Sequence, residues 1–106
     1  MSLLLLAAGV SASTVTPCAL PFAIVRDEAA ARAIAQVVIA SAPKKAPGKG
    51  IKRYDLRVHF VQERESWMVY EDPVSAVEGI RILGGGGLAM EIAACDGAVS
   101  DINRQI

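Results

Sequence analysis

Residues 53 to 60, RYDLRVHF, alternate strictly between two kinds of side chain, and this pattern constrains the fold most. One face of the extended chain carries Tyr54, Leu56, Val58 and Phe60, and the other carries Arg53, Asp55, Arg57 and His59. A period of two is typical of a strand with one buried and one solvated face. The segment therefore predicts a half-buried antiparallel strand.

The next segment favours a hairpin. A polar turn over residues 62–66 precedes a second apolar run, WMVYE, which can pair back on the first strand. Trp67 and Tyr70 fall on opposite faces of this strand, and we interpret Trp67 as a core anchor. Asp72 followed by Pro73 is typical of a helix start, and Gly79 of a stop, so a short helical turn is predicted over residues 73–78.

Upstream of these strands, RDEAAARAIAQVVIASAP predicts the main helix. Asp27 is placed as its N-cap, Glu28 suits the positive end of the helix dipole, and Arg32 lies four residues after Glu28. Pro43 should end the helix, because a proline disfavours the helical conformation of the residue before it. The residues expected to face the core are Ile34, Val37 and Val38.

The stretch IRILGGGGLAMEIAA raises the question of nucleotide binding, since Gly84, Gly86 and Ala89 match the G-x-G-x-x-G/A spacing. A dinucleotide fold needs a helix after the glycines, another strand and an acidic residue about 20 positions further on. From Gly84 that distance reaches Arg104, so we expect no such fold. Instead, the Asp96-Gly97 hairpin signal predicts two strands joined by that turn, with a strand from Leu88 to Ala94. The glycines would then permit a bulge or a close backbone approach.

Composition limits the remaining choices. The 106 residues suit a single domain, and 53% hydrophobic with only 5% aromatic residues predicts a modest aliphatic core. Eleven basic and eleven acidic residues give no net charge, so no overall field attracts nucleic acid or an anionic membrane. The predicted fold class is α+β, with one main N-terminal helix packed on an antiparallel sheet of about four strands.

The N-terminus and the cysteines bear on location. An apolar run from Leu3 to Val10, followed by the small-x-small tripeptide Val10-Ser11-Ala12, is similar to the end of a secretory signal. Residues 1–12 are therefore either a signal-peptide remnant, which implies a periplasmic or secreted protein, or an ordinary buried segment of a cytoplasmic one. Cys18 and Cys95 would be able to form a disulfide in an oxidising compartment, or remain as two thiols.

Candidate partner-binding residues are Arg53, Arg57 and His59 on the polar strand face, and Lys44 and Lys45 in the loop PKKAPGKGIK. His59, the single histidine, could act as a general base, but Asp55 lies about 13 Å away along the strand. One histidine and no C-x-x-C pair argue against structural zinc, and we expect no metal, no cofactor and no catalytic residue. A solvated connection explains the lysine loop better than a docking patch does.

Several short matches, in their order along the chain, resemble a family of small bacterial immunity proteins with a nuclear-transport-factor-two-like (cystatin-like) fold. The matching pieces are Asp27-Glu28-Ala29 with the helix after it, Trp67-Met68-Val69, the glycine pair Gly85-Gly86, Glu91-Ile92 and Asp96-Gly97-Ala98-Val99. A helix followed by a hairpin that ends in an Asp-Gly turn is also similar to PepSY-type domains.

The first resemblance implies a helix packed on a curved antiparallel sheet and a non-catalytic protein that binds a protein partner such as a toxin. The alternatives are a PepSY-like periplasmic inhibitory domain, or a small-pocket enzyme or ligand-binding domain of the cystatin-like superfold with His59 as acid or base. A structural dimer that pairs edge strands over residues 98–102 is a third hypothesis.

Overall fold

A computed structural model describes residues 22–43, 48–82 and 84–105. One α-helix, α1 (Glu28–Ser41), precedes four strands: β1 (Ile51–Val61), β2 (Ser66–Ser75), β3 (Leu88–Ala93) and β4 (Val99–Arg104). A short 3-10 helix (Gln62–Arg64) forms the turn between β1 and β2. The strands form one antiparallel sheet in the order β1-β2-β3-β4, and α1 packs on one of its faces. This is the predicted α+β class. Residues 1–12, Cys18, Lys44 and Lys45 lie outside the described residues.

Both ends of α1 follow the predicted signals. The Oδ1 atom of Asp27 accepts a hydrogen bond from the backbone N–H of Ala30 at 2.9 Å, which satisfies one of the free N–H groups of the first turn. Glu28 and Arg32 form an ion pair at 2.7 Å. The helix ends at Ser41, where Ala42 turns to an extended conformation before Pro43.

The buried face of α1 differs from the prediction. Ala31 and Ala35 are fully buried, Ile34 and Val38 pack at the margin of the core, and Val37 is 66% exposed. Placing Val37 in the core was wrong, because the helix turns its two small residues towards the sheet. Alanine at the contact lets the helix backbone lie close to the large side chains of the sheet.

The core lies between α1, the sheet and the extended segment before the helix. Trp67 is its anchor, as predicted: the indole Nε1 donates to the carbonyl of Val25 at 2.9 Å, and the ring packs edge-on against Phe60. The fully buried Met90, Ile92 and Val69 surround it. Val25 also donates its own N–H to the carbonyl of Ala94, and Ile24 donates to Cys95, so the segment before the helix is fixed both to β2 and to the chain after β3.

The β1–β2 hairpin keeps the predicted alternation, and it is longer than expected. Phe60 pairs with Trp67 and Tyr54 pairs with Pro73, so β2 continues to Ser75. The predicted helical turn over residues 73–78 is wrong, since residues 73–75 belong to the strand and residues 76–78 form a bend and a turn. Pro73 is tolerated there because β3 pairs with β2 only as far as Tyr70, so no third strand requires its missing N–H.

The glycine run leads into a strand and not into a helix, and the strand predicted from Leu88 is confirmed as β3. A Cβ atom at Gly87 would lie 2.6 Å from the carbonyl oxygen of Glu71, so only glycine fits beside β2 at this position. Gly85 has a φ of 95°, and a Cβ atom there would lie 3.2 Å from the ring of Pro73. Close backbone approach therefore explains this cluster.

Residues 94–98 connect β3 to β4 in a five-residue loop, longer than the two-residue turn predicted. The N–H of Gly97 donates to the carbonyl of Ala93, and Ala93 in turn donates to Ala98. Asp96 accepts from the N–H of Ala98, and Gly97 takes the left-handed conformation at φ 76°. The Asp-Gly pair thus turns the chain at the third and fourth positions of the loop.

β4 is an edge strand with an irregular middle. Asp101 has a left-handed φ of 53°, and the register shifts opposite Met90. A bulge of this kind makes an edge a poor template for pairing with another chain.

The other edge of the sheet is β1, where the carbonyl of Leu56 accepts a hydrogen bond from Arg32 of the helix.

Candidate functional site

The face of the sheet opposite α1 is the candidate functional site, and we call it the open face. No helix or strand in the described part of the chain covers it. The side chains of the open face come from three neighbouring strands, β1, β2 and β3. They are Arg53, Asp55, Arg57, His59, Met68, Tyr70, Asp72, Ala89 and Glu91. They lie here because each alternates with a core residue of the same strand.

The centre of the open face is apolar and aromatic. His59 of β1 pairs with Met68 of β2, and Arg57 pairs with Tyr70. The rings of His59 and Tyr70 meet edge-on, with centroids 6.4 Å apart. Three residues at the centre are half-buried: Met68, Tyr70 and the neighbouring Ala89. The imidazole of His59 is exposed and stands above them.

Two ion pairs lie at one end of this centre. Asp55 and Asp72 are directly opposite each other on β1 and β2, an arrangement of like charges that destabilises a sheet. Arg53 binds Asp55 at 3.0 Å and Arg57 binds Asp72 at 3.2 Å. The arginines therefore neutralise the two carboxylates that the register brings together.

A third pair lies at the other end, where Arg64 reaches from the turn after β1 to Glu91 on β3. The guanidinium binds both carboxylate oxygens, with Nη2–Oε1 2.6 Å and Nε–Oε2 2.9 Å. These hydrogen bonds, helped by the hydroxyl of Ser66, hold the pKa of Glu91 below its ordinary value despite its burial. The same pair raises the pKa of Arg64. Glu91 is thus an anion at neutral pH, and it fixes Arg64 over the sheet.

Of the predicted partner-binding residues, the structure brings Arg53, Arg57 and His59 together on one face. Sequence reasoning missed Arg64, Met68 and Tyr70 as members of this surface. The alternation of WMVYE places Met68 and Tyr70 opposite the core residues Trp67 and Val69, so the signal for those two was present. Arg64 lies in a turn, and only the register of β3 brings Glu91 within its reach.

The predicted structural residues lie where the fold needs them. Trp67 is in the core, Gly85 and Gly86 line the approach to β3, and Glu91 is the buried partner of Arg64. Asp96 and Gly97 are in the loop between β3 and β4. Cys95, in the same loop, is disulfide-bonded and not a free thiol. The possible pairing with Cys18 involves a residue outside the described ranges.

Two hollows border these surfaces. A cleft of about 320 Å³ lies on the helix side and is lined by Gln36, Ile39, Ala40, Tyr54, Leu56 and Glu71. A shallow hollow of about 460 Å³ lies at the end of the hairpin near Lys52 and Arg53, against the loop over residues 76–80. His59 lines neither hollow.

Within the described ranges, no group of three or more histidine, cysteine, aspartate or glutamate residues is arranged to hold a metal ion. None of the helices there has the length and hydropathy needed to span a membrane. Comparison of the chain with protein-family models, curated proteins and solved structures gave no match.

Proposed function

We propose that the protein is a non-catalytic binding module whose open face binds a protein partner. The observation that carries this proposal is the arrangement of Met68, Tyr70 and His59 between arginine ion pairs on an uncovered sheet face. Methionine, tyrosine and arginine are enriched in protein interfaces, where an apolar centre is surrounded by a polar rim. The rigid sheet below holds these groups in place before binding, which lowers the entropic cost of association.

The surroundings of His59 support binding over catalysis. A histidine base is normally oriented by a second group that holds one ring nitrogen. In the described part of the chain, the contact made by the His59 ring is the edge-on packing against Tyr70. The imidazole is exposed on the side of the sheet away from the helix-side cleft. An exposed ring beside Tyr70 and Met68 suits a contact residue.

The partner class follows from the resemblance to immunity proteins. A small domain that covers a toxin needs a preformed surface and no chemistry of its own, and the open face supplies such a surface. We therefore propose an immunity-type role with the toxin as partner; a PepSY-like inhibitory domain would use the same kind of surface. The location of the protein depends on whether residues 1–12 are a signal segment.

A pull-down with the product of the neighbouring gene tests the proposal. Wild-type chain and the variants Tyr70→Ala and Val37→Ala are immobilised separately, after far-UV circular dichroism has shown that each is folded. Both substitutions truncate an accessible apolar side chain, but Val37 lies on the helix. We expect wild type and Val37→Ala to retain the partner and Tyr70→Ala to lose it. Equal retention by all three, or none by wild type, would contradict the proposal.

The helix-side cleft favours a second candidate, a ligand-binding domain or small-pocket enzyme of the cystatin-like superfold. Its wall combines the apolar Ile39 and Leu56 with the carboxylate of Glu71, which already accepts a hydrogen bond from the N–H of Leu88 at 2.8 Å. A small molecule with an apolar part and a hydrogen-bond donor would fit such a wall. Filling the cleft with Ala40→Trp should abolish binding of that ligand and leave the open-face pull-down unchanged.

A further inference from the structure

The side chains of the three ion pairs on the open face are not equally accessible. The arginines are 55%, 56% and 57% exposed at positions 53, 57 and 64, whereas their partners Asp55, Asp72 and Glu91 are 38%, 32% and 10% exposed. Although the three pairs are neutral in sum, the guanidinium groups form the outer layer. An approaching molecule therefore meets positive charge first.

Unused hydrogen-bond donors point the same way. Arg53 and Arg57 each engage their carboxylate through Nε, and the structure shows no partner within the described ranges for the two terminal nitrogens of either group. Arg64 uses Nε and Nη2, which leaves Nη1. A guanidinium offers five N–H donors in a planar fork, so each of these arginines can still bind a carboxylate from outside.

We propose that the open face selects an acidic protein surface: aspartate or glutamate side chains beside an apolar or aromatic residue. The acidic groups bind the unused terminal nitrogens of the three arginines Arg53, Arg57 and Arg64. The apolar residue packs on Met68 and Tyr70. This inference rests on the proposed function, since it names the chemistry of the partner at the same site. A net charge of zero disfavours a nucleic-acid backbone, because binding to it depends on the neutralisation of many phosphates by basic residues.

Random dodecapeptides displayed on phage provide a probe that needs no knowledge of the natural partner. They are selected on the wild-type chain, and the affinities of the enriched peptides are measured by fluorescence anisotropy for wild type and each variant. We expect enriched peptides to carry several Asp or Glu residues around an apolar one. Arg57→Gln should weaken them about tenfold or more, because hydrogen bonds to charged groups contribute roughly 1.5–3 kcal/mol. Arg57→Lys should retain part of the affinity, and raising the salt concentration should lower it.

Two controls separate this inference from the proposed function. Arg26→Gln removes an exposed arginine outside the sheet and should change nothing. Tyr70→Ala tests whether the peptides bind the open face at all. Peptides that are lost with Tyr70→Ala but are not acidic, and do not respond to Arg57→Gln, would overturn the inference and leave the binding module standing.

Other outcomes are equally decisive. Peptides that respond to neither Tyr70→Ala nor Arg57→Gln would overturn both the inference and the proposed function. A single-stranded oligonucleotide that competes with the peptides at 150 mM salt would assign the arginine layer to phosphates, and would overturn the choice of an acidic protein.

Discussion

Arg64 and Glu91 join the turn after β1 to the central strand β3 through two parallel hydrogen bonds. Burial disfavours the charged form of Glu91. The carboxylate stays charged because the guanidinium of Arg64 compensates it. The pair thereby fixes the turn against the sheet, and it places one of the three outer arginines of the open face.

This pair predicts a dependence of stability on pH. The pKa of Glu91 is lowered in the folded protein, so the carboxylate stabilises the fold in full above the pKa of an unfolded glutamate, about 4.3. That contribution declines as the pH falls towards the lower folded-state pKa. We expect Glu91→Gln to be less stable than wild type at pH 7, with the difference shrinking below pH 4.

Urea unfolding at several pH values measures this difference. Glu78→Gln is the matched control, because Glu78 is exposed and the described residues include no ion-pair partner for it. A wild-type advantage over Glu91→Gln that stays constant from pH 7 to pH 3 would show that the carboxylate charge has no part in stability.

Gly87→Ala should destabilise the fold by about 1–3 kcal/mol, the usual cost of forcing an extra group into a packed site. The new methyl group would lie 2.6 Å from the backbone oxygen of Glu71, which cannot move without disturbing β2. Gly48→Ala is the control, because the added carbon there meets the flexible end of Ile51 at 3.2 Å and the backbone oxygen of Gly85 at an ordinary contact distance of 3.8 Å. Equal melting temperatures for the two variants would mean that the close approach at Gly87 is not a constraint.

Trp67→Phe should cost about 1–3 kcal/mol of stability, since the buried carbonyl of Val25 loses its donor. Tyr70→Phe removes a hydroxyl from a half-exposed residue on the same strand and should change stability by less than about 0.5 kcal/mol. Far-UV circular dichroism is the appropriate readout, because Trp67 is the single tryptophan. A stability for Trp67→Phe as close to wild type as that of Tyr70→Phe would rule out the anchoring role.

The corrected helix face gives a further prediction. Ala35→Leu should destabilise the protein by about 1–3 kcal/mol through overpacking, since Ala35 is fully buried against the sheet. Val37→Leu adds one methylene at an exposed position and should stay within about 0.5 kcal/mol of wild type. Thermal unfolding compares the two, and a larger loss for Val37→Leu would mean that the helix presents a different face to the core.

Local patterns in the sequence predict the elements of this fold well, and its pairings less well. The alternation in β1, the Asp27 cap and the strand after the glycines follow from nearest-neighbour chemistry. The extension of β2 through Pro73 does not follow from local chemistry. Asp72 and Pro73 are a local signal for the start of a helix, but the pairing of Pro73 with Tyr54 across the hairpin overrides it. Val37 was misplaced for a similar reason: a hydrophobic face predicts burial, but the fit of Ala31 and Ala35 against the sheet decides which residues are buried.

In the candidate site too, local sequence patterns predict some features, and others depend on how the strands pair. Arg53, Arg57 and His59 share a face by strand alternation, which a sequence displays directly. The Arg64–Glu91 pair joins residues that are 27 positions apart, so it depends on the register of the sheet.

The most direct test of the central claim is a map of the bound surface by nuclear magnetic resonance. The ¹⁵N-labelled chain is titrated with the partner retained in the pull-down, and the chemical shifts of its backbone amides are followed. We predict the largest changes at His59, Met68, Tyr70 and Ala89, with little change at Ala35 and Val37 in α1. Changes concentrated on α1, with the strand residues of the open face unaffected, would contradict the account.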